Sequence, residues 1–199
     1  MKITNKIIAL VISLIAMPTF AYTQAKYYVG AEYTKNKIDT GISNISSRLD
    51  EEDNGYSIFF GSPINKDFDI EVSYNNFGEA SLSGVVDNEF SYRGTTYVFT
   101  DTGTIKAEAT SFGIAVKPKL NINKNFDLVA TLGAHRWESD LTASSASGKD
   151  STTEDGIDLF YGVGLKGNFD TFSVGLNYNI YKLDSEDVTS MGIRVSAAF

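Results

Sequence analysis

One histidine is available to this chain, His135, inside the run AHRWESD at 134–140. A base that activates a hydroxyl must come within about 3 Å of it. On an extended strand the next side chain on the same face lies two residues along, and that position is Trp137. Ser139 is four residues on, roughly 13 Å away along the strand. Only a serine from a neighbouring strand could complete a nucleophilic pair, so His135 reads as a lumen or upper-rim polar residue and Trp137 as rim packing. Cysteine is absent, which removes disulfides and thiolate metal sites. Asp50, Glu51, Glu52 and Asp53 offer hard oxygen donors to a divalent cation, but without EF-hand spacing a solvated acidic loop is the simpler reading. Gly162-Val163-Gly164 falls inside a strand pattern, so a nucleotide-binding loop lacks its context. No catalytic, cofactor-binding or metal-ligating residue is assigned.

The elements that would position these groups are strands. From residue 26 onward one theme recurs, about ten residues of alternating character followed by turn residues. The apolar members are Tyr27, Val29, Ala31 and Tyr33, then Tyr56, Ile58 and Phe60, then Phe68, Ile70, Val72 and Tyr74. Phe112, Ile114 and Val116 form the fourth set; Phe126, Leu128, Ala130 and Leu132 form the fifth. The sixth runs from Ile157 to Leu165, the seventh from Phe172 to Ile180, and Met191, Ile193, Val195 and Ala197 make the eighth. No comparable helical periodicity appears. Alternation alone would also suit a water-soluble sandwich.

The connections separate the two readings. Residues 65–67, 121–125 and 167–170 are tight turns, rich in Asn, Asp and Gly. Residues 40–54, 81–104 and 140–155 form long polar loops, and a shorter loop surrounds 184–187. Short turns at one end and long loops at the other predict an all-β, eight-stranded, antiparallel up-and-down transmembrane barrel with periplasmic turns and extracellular loops. Tyr27, Phe68, Phe126, Phe172 and Phe199 then share one height at the short-turn end, as a periplasmic aromatic girdle. Tyr33, Tyr56 and Tyr74 approach the other rim. Closure of strand eight on strand one satisfies the backbone in lipid. Within the loops, SYRGTTYVFTD at 91–101 reads as a hairpin turning near Gly94 that could present Tyr92, Tyr97 and Phe99 to a partner or pack them within the loops. Residues 143–153, rich in Ser, Thr, Ala and Gly, read as a mobile loop.

The N-terminus is a separate object. Lys2 and Lys6 precede an apolar run over 7–17, then Pro18 and Thr19-Phe20-Ala21. This pattern predicts a signal peptide at 1–21, with an alternative end at 25, ahead of a barrel domain at 22–199. Removing 1–21 takes away two lysines and no acid, so the formal charge moves from −8 to −10. An exported acidic chain is a poor partner for nucleic acid.

YYVGAEY at 27–33, INKDFDIEVSY at 64–74, FDLVATLGAHRWESD at 126–140 and YKLDSEDVTSMGI at 181–193 together resemble the OmpA-like family of eight-stranded outer-membrane barrels, here without the peptidoglycan-binding domain because the sequence ends at Phe199. The resemblance implies the outer membrane of a Gram-negative bacterium, contact with outer-membrane lipid and lipopolysaccharide, and recognition of the C-terminal strand by the outer-membrane assembly machinery. It also implies a network of paired charges in the lumen. Alternation puts Glu32, Glu71 and Lys117 on inward positions matching that network, while Gly164 and Gly175 stand where the family has charges. Arg194 could supply the missing cation, so the expectation is a rewired plug in which Glu71 faces Lys117 and Arg194 with Glu32 nearby. The two glycines would open some volume.

Three functions follow. The favoured one is a structural surface protein, not an enzyme, whose lumen is largely closed and whose loops meet a host, phage or other cell-surface ligand. A narrow, low-conductance, porin-like pore is the alternative, because eight strands enclose little beyond side chains. A lipid A-modifying enzyme depending on His135 is the third.

Overall fold

A computed structural model describes residues 27–199 apart from 44, 45, 93 and 185; the expected signal peptide lies outside the described residues. Among them are twelve strands and no helix. The first four are β1 (Tyr28–Ile38), β2 (Ile42–Ser43), β3 (Arg48–Asp50) and β4 (Glu52–Pro63). Next come β5 (Phe68–Gly84), β6 (Glu89–Tyr92), β7 (Thr95–Val98) and β8 (Gly103–Asn121). The last are β9 (Phe126–Ser145), β10 (Gly148–Phe169), β11 (Phe172–Leu183) and β12 (Glu186–Ala198).

Eight of these form a closed ring. In the order β1, β4, β5, β8, β9, β10, β11, β12, each pairs antiparallel with the next, and β12 pairs back onto β1. Closure runs from Tyr28↔Ala198 through Glu32↔Arg194 to Ile38↔Val188, and the Phe199 amide donates to the Tyr27 carbonyl at 2.8 Å. The ring therefore has no free edge, which is what lipid demands of strands.

The two faces are sorted oppositely to those of a soluble barrel. The apolar members of the alternation point outward, as in Ile157 (74% exposed), Leu132 (68%) and Ile193 (56%). Polar side chains fill the inside, among them Glu32, Asp69, Glu71, Asn75, Lys117, His135 and Asn177. Such a surface is stable only against hydrocarbon, so the crossing is made by strands.

At the periplasmic end the turns are short. Residues 64–67 and 122–125 close through Asx bonds, from the Asp67 amide to Asn65 Oδ1 and from the Asn125 amide to Asn123 Oδ1. The third turn is tighter than the expected 167–170. Gly167 is still paired with Val174, and only 170–171 reverse the chain, with Asp170 at φ 55°. Asp tolerates this left-handed conformation better than most residues.

The outer end differs more from expectation. Residues 81–84 remain in β5, 103–106 are already in β8, and β9 and β10 continue as a hairpin to Ser145↔Gly148. The segment 143–153, expected as a mobile loop, is thus paired strand apart from the turn at 146–147. Its tip is tied sideways, since the Ser147 hydroxyl donates to Asp101 Oδ2 at 2.8 Å and holds that carboxyl below the usual range. The sequence hides this for a physical reason. Above the membrane both faces of a strand meet polar surroundings, so the period-two signal vanishes while backbone pairing goes on.

β5 also contains an irregularity between Asn76 and Glu79. Gly78 adopts φ +81°, and a Cβ there would lie 2.8 Å from the Asn54 carbonyl oxygen. Below the bulge the odd residues Asp69 to Phe77 face inward; above it the even residues Ala80 and Leu82 do. One extra residue re-aims the whole outer half of the strand.

Candidate functional site: the filled lumen

Four strands bring a charge cluster to the barrel centre. Glu71 on β5 receives Lys117 Nζ from β8 on Oε1 at 3.0 Å. Its Oε2 receives Arg194 Nη2 from β12 at 2.6 Å and the Tyr28 hydroxyl from β1 at 3.1 Å. The side chains are nearly dry, at 9% exposure for Glu71 and 6% for Lys117. A carboxylate enclosed at this depth is tolerable because both oxygens carry charged donors. Arg194 also lies over the Phe59 ring, its Cζ 3.6 Å from the centroid. Glu32 stands across the strand pair from Arg194 and accepts the Asn177 amide at 3.2 Å on each oxygen. Glu71, Lys117 and Arg194 are therefore in direct contact, and Glu32 joins them through register and Asn177.

Sequence reasoning missed several members. Lys119 pairs with Asp69 at 2.5 Å nearer the periplasmic end, and Lys166 Nζ sits 5.4 Å from the Tyr28 ring centroid. Alternation counted from Glu71 and Lys117 would have placed Asp69 and Lys119 inward, and alternation against the outward Leu165 would have done the same for Lys166. The expected volume at the two glycines is absent. Asn177 leans into the space at Gly164, and the Arg194 stem fills that at Gly175, its Cγ only 3.1 Å from where a Cβ would be. The glycines make room for neighbouring side chains, not for water.

Above the charges lies an aromatic layer that the sequence did not reveal. Phe160 and Tyr181 stack at 4.9 Å with planes 11° apart, and Phe77 packs on Tyr181 at 4.8 Å. His135, 1% exposed, meets both Phe160 and Tyr181 edge-on. Its Nε2 lies 2.9 Å from the Lys182 carbonyl, and among the described residues no serine hydroxyl is hydrogen-bonded to it. Trp137 is inward too, donating from Nε1 to Asp158 Oδ2 at 2.8 Å. These rings sit on inward positions of strands whose outward residues are also apolar, so period-two reading passes over them.

The expected periplasmic girdle residues are all outward, with Tyr27 contacting Phe199 at 6.2 Å and Phe172 stacked on Phe169 at 5.3 Å. Near the other rim Tyr56, Tyr74 and Phe112 form a chain of ring contacts at 6.3 and 4.9 Å, beside Tyr33 opposite Tyr56. The 91–101 segment is a hairpin with Gly94 at φ 79°. Its aromatics pack on one another: Tyr97 and Phe99 both contact Phe90, and the Tyr92 hydroxyl donates to Glu186 at 3.0 Å. The acids at 50–53 are engaged internally. Glu51 accepts from Thr40, Glu52 pairs with Lys35, and Asp53 accepts the Glu79 amide.

A closed ring of eight strands with lipid-facing apolar residues and a polar, side-chain-filled interior defines an outer-membrane barrel. Residues 7–199 match the outer membrane protein beta-barrel domain family, and the chain belongs to it, which places it in the outer membrane of a Gram-negative bacterium. Among solved structures it is similar to Ail, the attachment invasion locus protein of Yersinia pestis, in complex with the heparin analogue sucrose octasulfate. That match has a TM-score of 0.55 and 18% identity, covering 89% of this chain and 100% of Ail. It is also similar to Neisserial surface protein A, at TM-score 0.53 and 14% identity, over 87% of this chain and 97% of that one. At these identities the likeness is one of fold. No curated protein sequence matches.

Proposed function

We propose that this protein is a structural outer-membrane barrel with a closed lumen, whose extracellular strands and loops meet other surfaces. The observation that carries this reading is the packing of the lumen. Between the charge cluster and the Tyr181 layer the remaining void is about 20 Å3, room for roughly one water molecule. An ion would have to strip its hydration shell, displace Arg194 from Glu71 and part the Phe160–Tyr181 stack. Among the described residues no hydroxyl is hydrogen-bonded to His135, so lipid A chemistry is not part of the proposal.

The outer segments set the chemistry of a surface ligand. Asp39, Asp50, Glu51, Glu52, Asp87, Glu89, Asp101, Asp140, Asp150 and Glu154 outnumber the bases around them. A polyanion such as a sulfated glycan would be repelled here, so a neutral or cationic host, phage or cell-surface ligand fits better. Lipid and lipopolysaccharide contact the apolar band, residues 1–21 are removed on export, and Phe199 serves the assembly machinery.

The test is single-channel recording of the folded mature barrel in planar bilayers beside Glu71→Gln. Silence from the native barrel, with folding verified, is the expected result. Reproducible steps from the native barrel that change in Glu71→Gln would replace this reading with a narrow pore.

A further inference from the structure

Above the Trp137 indole the outer end of the lumen opens into a cavity of about 180 Å3. Its wall is not the polar vestibule that extracellular connections suggest. Ile38, Leu82, Ala109, Leu183 and Val188 line it, all of them buried, and Trp137 forms part of it from β9. The Gly78 bulge contributes to this wall, because above it Ala80 and Leu82 of β5 are buried and line the cavity. An apolar cavity of about 150 Å3 has room for a benzene-sized molecule.

The edge of the cavity is different. Among its described lining residues are five carboxylates, Asp39, Glu154, Asp184, Glu186 and Asp187, and no lysine or arginine. Lys182, outside the lining, neutralises Asp187 at 2.6 Å, and Glu186 accepts the Tyr92 hydroxyl. Asp39 and Glu154 are exposed and are not ion-paired with any described residue. Glu154 lies opposite Ser139, two positions outward from the Gly156–Trp137 pair, so a negative edge stands directly above the apolar floor.

We propose that this cavity binds a small organic ammonium, with an apolar body of about six to ten non-hydrogen atoms against Trp137 and its amine at the carboxylate edge to which Asp39 and Glu154 contribute. The apolar wall supplies affinity for the body, and the carboxylate edge selects the sign of the head group. A carboxylate or phosphate head would meet Asp39 and Glu154 and be disfavoured. The site is separate from the lumen charge cluster, which lies beyond the aromatic layer.

Trp137 is the single tryptophan of the sequence, so its emission reports on the cavity floor. The mature barrel in lipid nanodiscs is titrated with 2-phenylethylamine, 2-phenylethanol and 3-phenylpropionate. A saturable change with the amine is expected, at least about tenfold tighter than with the alcohol or the acid. The double variant Asp39→Asn/Glu154→Gln reduces amine affinity to that of the alcohol. Ala109→Leu fills the cavity and abolishes the response. The charge-neutralising variant changes only exposed residues, so it tests the proposal even if the filling variant fails to fold. Equal affinity for amine and alcohol, no saturable response to the amine, or amine selectivity surviving loss of both acids overturns the proposal.

Discussion

Replacing Glu71 with glutamine keeps the shape of the side chain and removes the carboxylate that is hydrogen-bonded to both Lys117 and Arg194. In the native barrel Lys117 Nζ is 3.0 Å and Arg194 Nη2 2.6 Å from its oxygens. The variant leaves two enclosed cations against a neutral amide, with Glu32 the remaining anion of the cluster. Breaking a buried pair from one side costs roughly 3–5 kcal/mol, because the desolvated partner charge remains. Reversible urea unfolding from lipid vesicles, followed by Trp137 emission, reads this directly. With a slope of about 2 kcal/mol per molar urea the midpoint falls by roughly 2 M. Lys117→Met should cost about half as much, since Glu71 keeps Arg194 and the Tyr28 hydroxyl. The double variant should fall short of the sum by about 1–3 kcal/mol, as coupled neighbours do. A Glu71→Gln shift below about 0.5 kcal/mol, together with additivity in the double variant, would mean separately hydrated ions in a wet lumen and would refute the argument.

Three more outcomes are expected. Gly78→Ala puts a Cβ 2.8 Å from the Asn54 carbonyl at φ +81°, and should lower stability by about 1–2 kcal/mol in the same assay while leaving the periplasmic half unperturbed by amide exchange. N-terminal sequencing of protein isolated from outer membranes should begin at Tyr22, or at Lys26 if the alternative cleavage is used; a start at Met1 would remove the signal-peptide assignment. Deleting Phe199 removes one bond of the closing seam and one ring of the girdle. It should lower the yield of membrane-inserted barrel in cells more than the refolding yield into detergent, and equal losses in both would assign the residue to stability alone.

The sequence by itself determined the membrane-spanning part. Lipid lies against one face of every strand, so Tyr27 to Tyr33, Phe126 to Leu132 and Met191 to Ala197 must alternate, and the alternation fixes strand number and inside from outside. It also placed Glu32, Glu71, Lys117 and Arg194 on one face. What it could not fix was which of them touch. That depends on the stagger between strands far apart in sequence, which sets Arg194 beside Glu71 across 123 residues. The extent of β9 and β10 beyond the rim was hidden as well, since water on both faces leaves no apolar period to read. The aromatic layer and the outer cavity were likewise decided by tertiary structure alone. A single bulge at Gly78 shifts the inward register of β5, and a ring such as Phe160 counts as apolar whether it faces lipid or lumen. Only closure of the barrel makes Phe77, Phe160, Tyr181 and His135 neighbours.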